Sequence, residues 1–285
     1  MTWGLGSTTE SIAEFKFSLP LKPTAKTQTL EDIDFDFMEK FIAELEQCRL
    51  AELEAYLKAT GLENTTLSSD EENALNVFNN SGGGNTPCGL TWQHFKLGDL
   101  FEKLDLKFKK KIFNKQKDIS KVQTSEFDLP LVNAKNGDNG IMYYGRSSDF
   151  ESAEMTIDIV NDGAVSTANV YPQPLKTGVL YNAYLIKPKF TPTRETLLFF
   201  TPCIYKAIKL KFSYENKASW NKVKNELIIL PTNPYGGIDF NFMNTLINAL
   251  MKQIIQGVVQ YCNAKIQATK EIISQEAPTQ KDSLF

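Results

Sequence analysis

Ile33-Asp34-Phe35-Asp36-Phe37-Met38 and Ile238-Asp239-Phe240-Asn241-Phe242-Met243 are one hexapeptide written twice, with a single Asp-to-Asn exchange. The likeness continues at the same offset of 205 residues: Ile42 matches Ile247, Leu45 matches Leu250, Leu53 faces Val258 and Tyr56 matches Tyr261. Over 33–56 eight of 24 positions are identical, too many for chance and too short for a domain. Both copies read as helices. Met38, Phe41, Ile42, Leu45, Leu50, Leu53 and Leu57 recur at spacings of three and four, as do Met243, Ile247, Leu250, Ile254, Val258 and Tyr261. Asp34 or Asp36, and Asp239 or Asn241, are the candidate N-caps. Thr60-Gly61 is a stop for the first helix, and the second runs to about Ser274. Two amphipathic helices of one ancestry are expected to bury their stripes by pairing as an antiparallel coiled coil, within a chain or between two, the alternative being that each packs separately on the central domain. Met38, Ile42, Leu45, Leu53, Met243, Ile247, Leu250, Ile254 and Val258 are the expected pairing residues.

Outward from the repeat, the chain changes character. Residues 63–91 are polar, with a short helix expected from Ser69 through Phe78 and a flexible linker at Gly82-Gly83-Gly84. No GK[ST] follows those glycines, so they are not a phosphate loop. Residues 92–235 read as short strands and turns: Phe127–Val132, Ile141–Tyr144, Met155–Val160, Ala164–Val165, Val179–Ile186, Thr196–Phe200, Ala207–Phe212 and Glu226–Leu230 as strands, Ser219–Val223 as a helical turn. Asn136-Gly137 and Asn139-Gly140 mark a hairpin connection. The fold class is α+β: one irregular, twisted-sheet domain flanked by two long helices.

Composition restricts function. With 285 residues, 42% hydrophobic and 23% charged, the chain is globular. No uncharged apolar run reaches the length of a spanning helix, and the N-terminus lacks the basic flank and apolar stretch of a signal peptide, so a cytoplasmic address is expected. Cys48, Cys88, Cys203 and Cys262 are scattered and read as reduced thiols. The single histidine, His94, stands between Trp92 and Phe95 and reads as a half-buried packing residue; no metal site and no hydrolytic triad are expected. The net charge of -3 conceals a partition: residues 1–90 carry 6 Lys+Arg against 15 Asp+Glu, residues 91–235 carry 21 against 15. The basic excess gathers at Lys103, Lys107, Lys109, Lys110, Lys111, Lys115, Lys117 and Lys121, a cluster suited to phosphates and equally to a solvated face. Lys135, Asn136, Asn139, Tyr143, Tyr144 and Arg146 surround the hairpin, and Ser166, Thr167 and Asn169 sit in a second loop. Asn pairs with adenine and Arg with guanine, while Asn-Gly and Ser-Thr are also ordinary turn chemistry.

The combination resembles the DNA-specificity subunit of type I restriction–modification systems and the related BcgI-like specificity subunits. The residues carrying the likeness are Trp92–Phe101 (WQHFKLGDLF), Leu129–Gly145 (LPLVNAKNGDNGIMYYG), Gly163–Pro174 (GAVSTANVYPQP), Leu180–Pro188 (LYNAYLIKP) and Asn216–Pro231 (NKASWNKVKNELIILP), the last leading into the second hexapeptide. The likeness spans roughly 33–270. It implies a leader at 1–30, a spacer helix at 31–62, a linker at 63–91, a target-recognition domain at 92–235, a second spacer helix at 236–275 and a flexible tail at 276–285. Family members carry two recognition domains, whereas this chain has one, preceded by a leader in which FKFSLP-IDFDFM parallels ELIILP-IDFNFM.

The resemblance further implies a non-catalytic, DNA-binding subunit that reads one half of a bipartite double-stranded target. It would dock a DNA methyltransferase subunit and a restriction/translocase subunit through its helices, and form a homodimer where the half-length form is the native one. No cofactor is expected in this chain; S-adenosylmethionine, ATP and Mg2+ would belong to the partner subunits. The DNA contacts it implies come from Lys109, Lys110, Lys111, Lys115, Lys135, Asn136, Asn139, Tyr143, Tyr144, Arg146, Ser166, Thr167, Asn169 and Lys217 beside Trp220. Two other readings stand beside it: a coiled-coil scaffold that never touches DNA, and a self-contained nuclease or methyltransferase. The second would need an acidic centre, for which Glu154, Asp158 and Asp162 are the nearest grouping.

Overall fold

The computed structural model describes residues 16–60, 62, 64–80 and 90–275. The first fifteen leader residues, Gly61, the Gly82–Gly84 linker, Cys88 and the tail at 276–285 lie outside the described residues. The chain divides into two compact units, one of residues 1–65 and 254–285, the other of residues 66–253.

In the first unit, a 3-10 turn at Leu30–Asp32 leads to helix α1, Phe35–Ala59. Asp34 is its N-cap, its carboxylate accepting from the Phe37 amide at 2.9 Å. The long C-terminal helix (α7, Phe240–Gln275) shows that the duplication is structural, because Asp239 accepts from the Phe242 amide at the same 2.9 Å. Of the two candidate caps in each copy it is therefore the first, common to both, that acts; each satisfies an amide otherwise left unpaired in the first turn.

The second unit opens with α2 (Ser69–Asn80), as the acidic start of that segment predicts. Three sheets follow. Strands β1 (Thr91–Lys96) and β10 (Leu227–Thr232) pair antiparallel, Trp92 opposite Pro231. The main sheet has the order β2 (Phe101–Lys103), β9 (Ala183–Pro188), β6 (Thr156–Val160), β7 (Val170–Gln173). The smaller sheet has the order β3 (Ile119–Ser120), β5 (Ile141–Gly145), β4 (Leu129–Val132), β8 (Gly178–Val179). Short helices α3 (Leu97–Leu100), α4 (Lys115–Asp118) and α6 (Trp220–Val223) fill connections.

Helix α5, Arg194–Ile208, corrects two expectations, since it takes in Thr196–Phe200 and the start of Ala207–Phe212, both expected as strands, and residues 209–211 continue as a turn. The physical reason is a cap that outweighs β-propensity: Thr193 and Thr196 form a reciprocal capping box, and Leu197, Phe200, Ile204 and Ile208 then share one buried face at helical spacing. Ala164–Val165 is likewise a turn and not a strand, and Val179–Ile186 is broken at residues 180–182. His94 is exposed, while Trp92 and Phe95 pack on the core.

The main core lies between α5 and the β2-β9-β6-β7 sheet. Ile157, Ile159, Ile186, Leu197, Phe200, Ile204 and Ile208 are almost wholly buried, each contributing about 1.5–3 kcal/mol. Phe101, Phe190, Phe200 and Phe240 form an aromatic chain with centroids 4.8–5.8 Å apart at successive contacts. The first part of α7 belongs to this core, with Met243, Leu246 and Ala249 buried and Ile247 and Leu250 packed against it. That corrects the assignment of Met243, Ile247 and Leu250 to helix pairing. In the first unit, Ile42, Leu45, Ile254 and Val258 are exposed, and Met38 and Leu53 half-buried. Among the described residues of that unit the buried apolar positions are Leu57 and Cys262, themselves repeat equivalents, with Leu50 and Ile255, again equivalent, half-buried.

Candidate nucleic-acid interface

The loop after β4 has an unusual backbone. Gly137, Asp138, Asn139 and Gly140 all have positive φ (85°, 47°, 52° and 76°). Asn, Asp and Gly are the residue types for which this region is least costly, so the local sequence and the conformation agree. Such strained backbone persists only where its surroundings hold it, and here they do. The Tyr171 hydroxyl accepts from the Gly137 amide at 2.9 Å and lies 3.3 Å from the Lys135 carbonyl. Asn139 Nδ2 donates to the Pro172 carbonyl, and Gln173 Nε2 to the Asn139 carbonyl, at 2.9 and 2.7 Å.

The loop after β6, residues 161–169, is tied to the same place. Asn169 Nδ2 donates to Asn136 Oδ1 and to the Tyr171 hydroxyl, both at 2.9 Å. Lys209, at the end of α5, reaches across with its ammonium and donates to the carbonyls of Val165 and Thr167 and to Asn169 Oδ1 (3.1, 2.9 and 2.6 Å). Burial lowers the pKa of that lysine. A third segment joins them: the Asn182 amide donates to Asn133 Oδ1, while its carbonyl accepts from the amides of Asn161 and Asp162. The two loops that were singled out separately in the sequence thus form one platform at one end of the domain.

Within that platform the expected contact residues divide. Lys135, Asn136 and Asn139 are at its surface, with Lys135 paired to Asp138 at 3.0 Å; Lys217 is exposed and paired to Asp162 at 2.6 Å. Ser166, Thr167 and Asn169 are buried and serve to shape the loop, Thr167 Oγ1 bonding the Gly163 carbonyl and accepting its amide. Tyr143 and Tyr144 are half-buried on β5, with Lys115 over the Tyr143 ring at 5.2 Å.

Arg146 lies at the other end of β5. Its guanidinium stacks on Phe127 at 4.4 Å and binds Glu126, the Lys117 carbonyl and Asp149. It is a structural tie and not a surface reader, because a five-donor fork satisfied this fully has little left for a base. Lys109, Lys110 and Lys111 share that end, Lys110 pairing with Asp149 at 2.6 Å. The lysines and the Asn-Gly loop are therefore separated by the length of the hairpin strands, about 13 Å.

Beneath the platform Asp158 sits on β6, wholly buried and with neither carboxylate oxygen hydrogen-bonded. Burial holds its carboxyl well above the usual range; burial, then the neighbouring Asp158, raises the Tyr184 phenol. The other acids of the grouping point elsewhere: Asp162 pairs with Lys217 and Glu154 is exposed. Because the folded-state pKa of Asp158 exceeds its unfolded value near 3.9, the native state binds the extra proton, and stability falls as pH rises above about 4. Replacing Asp158→Val removes that slope and raises stability at pH 7 by about 1–3 kcal/mol, the cost of an unsatisfied buried polar group. Urea titrations of both proteins between pH 4 and 8 measure this; parallel stability curves would contradict it.

Residues 90–260 match the type I restriction modification DNA specificity domain family. The chain belongs to that family. Among curated relatives of this specificity family, the type II restriction enzyme BgcI specificity subunit S.BcgI of Heyndrickxia coagulans is 22% identical over 246 residues, covering 86% of this chain and 60% of the relative. Solved structures similar to this one include the S subunit of a type I restriction-modification system from M. genitalium (14% identity, TM-score 0.44, 84% of this chain and 60% of that one). Another is the HsdS subunit from Thermoanaerobacter tengcongensis (15% identity, TM-score 0.38, 79% and 54%). The chain thus spans about three fifths of the length of the specificity subunits it matches. Among the described residues no helix is long and apolar enough to cross a membrane.

Sequence reading missed Lys209, Tyr171, Gln173 and Asn182 as builders of the platform. Tyr171 and Gln173 alternate along β7, in step with Asn169 just before it, a period-two signal that marks one face. Lys209 had no signal, since its partners are 40 to 44 residues away.

Proposed function

We propose that this chain is the DNA-reading, non-catalytic part of a restriction–modification complex, with the 133–140 and 161–169 loops applied to one half of a bipartite duplex target. The observation that carries the reading is the joining of these two loops, by bonds between residues 33 and 34 apart in sequence, into one platform with Lys135 and Lys217 at its surface. Rigid placement of polar side chains is what base-edge readout requires, while Lys109, Lys110 and Lys111 supply phosphate affinity without sequence preference. Methyl transfer and cleavage, with S-adenosylmethionine, ATP and Mg2+, belong on this reading to a methyltransferase subunit and a restriction/translocase subunit.

The helices support the rest of the reading. Phe35, Phe37, Phe41, Ile42 and Leu45 of α1 are about half exposed, yet their repeat equivalents Phe240, Phe242, Leu246, Ile247 and Leu250 all pack on the recognition domain. The open face of α1 is thus suited to a second recognition domain, a second copy of this chain included. Burial of the repeat equivalents Leu57 and Cys262, with Leu50 and Ile255 half-buried, supports a reading in which the two spacer helices pair.

Selection from a randomised duplex library tests the DNA-reading role. The protein should enrich one short motif. Charge reversal of Lys109, Lys110 and Lys111 to Glu should weaken every duplex alike, flatten the salt dependence and leave the motif unchanged. A library that emerges unenriched from the intact protein removes the reading.

A further inference from the structure

Beside the platform lies a cleft of about 310 Å3 that the loops do not fill. Its wall is aromatic: Phe108, Phe113 and Phe150 pack on one another with centroids 4.9–6.4 Å apart, and Tyr181 and Tyr184 complete it. Its rim is cationic. The Lys103 ammonium stands 5.6 Å from the Tyr184 ring centroid, and Lys115 stands 5.2 Å from the centroid of Tyr143, which packs on the same cluster as Phe108, Phe113 and Phe150. The acid of the lining, Asp105, is paired with Lys107 at 3.0 Å.

Two features specify the occupant. A slot lined by ring faces and edges suits a flat aromatic group, and lysines around it suit one that carries negative charge; a nucleotide has both. The position agrees. Tyr181 is 66% exposed and directly precedes Asn182, whose backbone binds Asn133, Asn161 and Asp162 of the two platform loops. The cleft therefore begins where the platform ends.

We infer that this cleft is a second nucleic-acid subsite, taking an unpaired base of a DNA strand next to the recognised duplex, with Tyr181 stacking on the base and Lys103 and Lys115 holding the adjoining phosphates. The inference rests on the DNA-reading role and adds a subsite for single-stranded DNA. Recognition of unstacked bases through aromatic faces is tolerant of sequence, so this subsite contributes affinity and placement without base preference.

The test uses the intact chain and a four-nucleotide deoxyadenylate strand, with binding followed by calorimetry at low salt. The strand should bind, and Tyr181→Ala should weaken it about tenfold, while Tyr181→Phe keeps it. Lys103→Gln should weaken it and reduce the salt dependence. Tyr181 and Lys103 are both exposed, so these variants fold as the parent does, which circular dichroism checks. Absence of strand binding, or binding unaltered in both Tyr181→Ala and Lys103→Gln, overturns the inference. Duplex binding measured in parallel separates the two readings: duplex bound with the strand unbound removes only the cleft, and the reverse removes only the platform.

Discussion

Gly140→Val is expected to lower stability by about 3 kcal/mol and to abolish motif enrichment while leaving salt-dependent binding to any duplex. Two independent terms act at this position. Its φ of 76° lies where a β-branched residue is most strained, a cost of about 1–3 kcal/mol. A Cβ there would also stand 2.5 Å from Asp158 Oδ2 and 2.9 Å from Tyr171 Cδ2, so the loop must lift off the strand beneath it, and overpacking of this kind costs about 1–3 kcal/mol. Tyr171 is the residue that holds Gly137 and Lys135, so the strain passes directly to the 133–140 loop. Gly137 is the control: its φ is also positive at 85°, but nothing lies within 4 Å of a Cβ placed there. Gly137→Ala should therefore cost only the backbone strain of its φ 85°, ψ −169° conformation, about 1–3 kcal/mol, and no overpacking. Urea unfolding of the two variants, with library selection on each, measures both effects. Equal losses for the two would show that contact beneath the loop does not matter.

Lys209→Met is expected to cost about 2–3 kcal/mol, because it leaves the carbonyls of Val165 and Thr167 and the Asn169 side chain without their charged donor in a half-buried place. Methionine keeps the aliphatic stem and loses the three bonds. Ala168, wholly buried with φ 61°, lies inside the segment that the ammonium clamps, so the released loop has a strained residue to relax. Motif preference should broaden, while affinity for unrelated duplexes falls little, since this lysine faces the protein's own carbonyls and not the solvent. Anisotropy titrations with the preferred and a scrambled duplex check this. A uniform loss on both duplexes would instead mean that Lys209 acts as a phosphate contact.

The contrast between Arg146 and Asn136 shows how far residue type alone carries a functional assignment. Both are base-reading types near one hairpin. Yet Arg146 lies at the wrong end of β5 and is fully engaged by Glu126, Asp149 and Phe127, while Asn136 lies in the loop itself. Nothing local separates them, since the partners of Arg146 come from 20 and 29 residues upstream as well as from its own turn. The strand expected at Thr196–Phe200 failed for a related reason. Its apolar run fits either period until the Thr193–Thr196 cap and the aromatic layer of Phe101, Phe190 and Phe240 are in place.

By itself the sequence determined what depends on neighbours along the chain. These are the duplicated helix starts at the two hexapeptides, where Asp34 and Asp239 are among the candidate caps, the turn marked by Asn136-Gly137 and Asn139-Gly140 and the α+β class of the whole. Each follows from backbone preference or short-range periodicity, which act within a few residues. Only the tertiary structure decided which polar groups face outward. The joining of two loops by Asn169, Tyr171 and Lys209, the burial of Asp158 and the diversion of Met243, Ile247 and Leu250 into the domain core all arise from contacts across sheets. Burial and hydrogen-bond partnership are properties of the packed whole, and they separate a side chain open to contact from one that holds the loops in place.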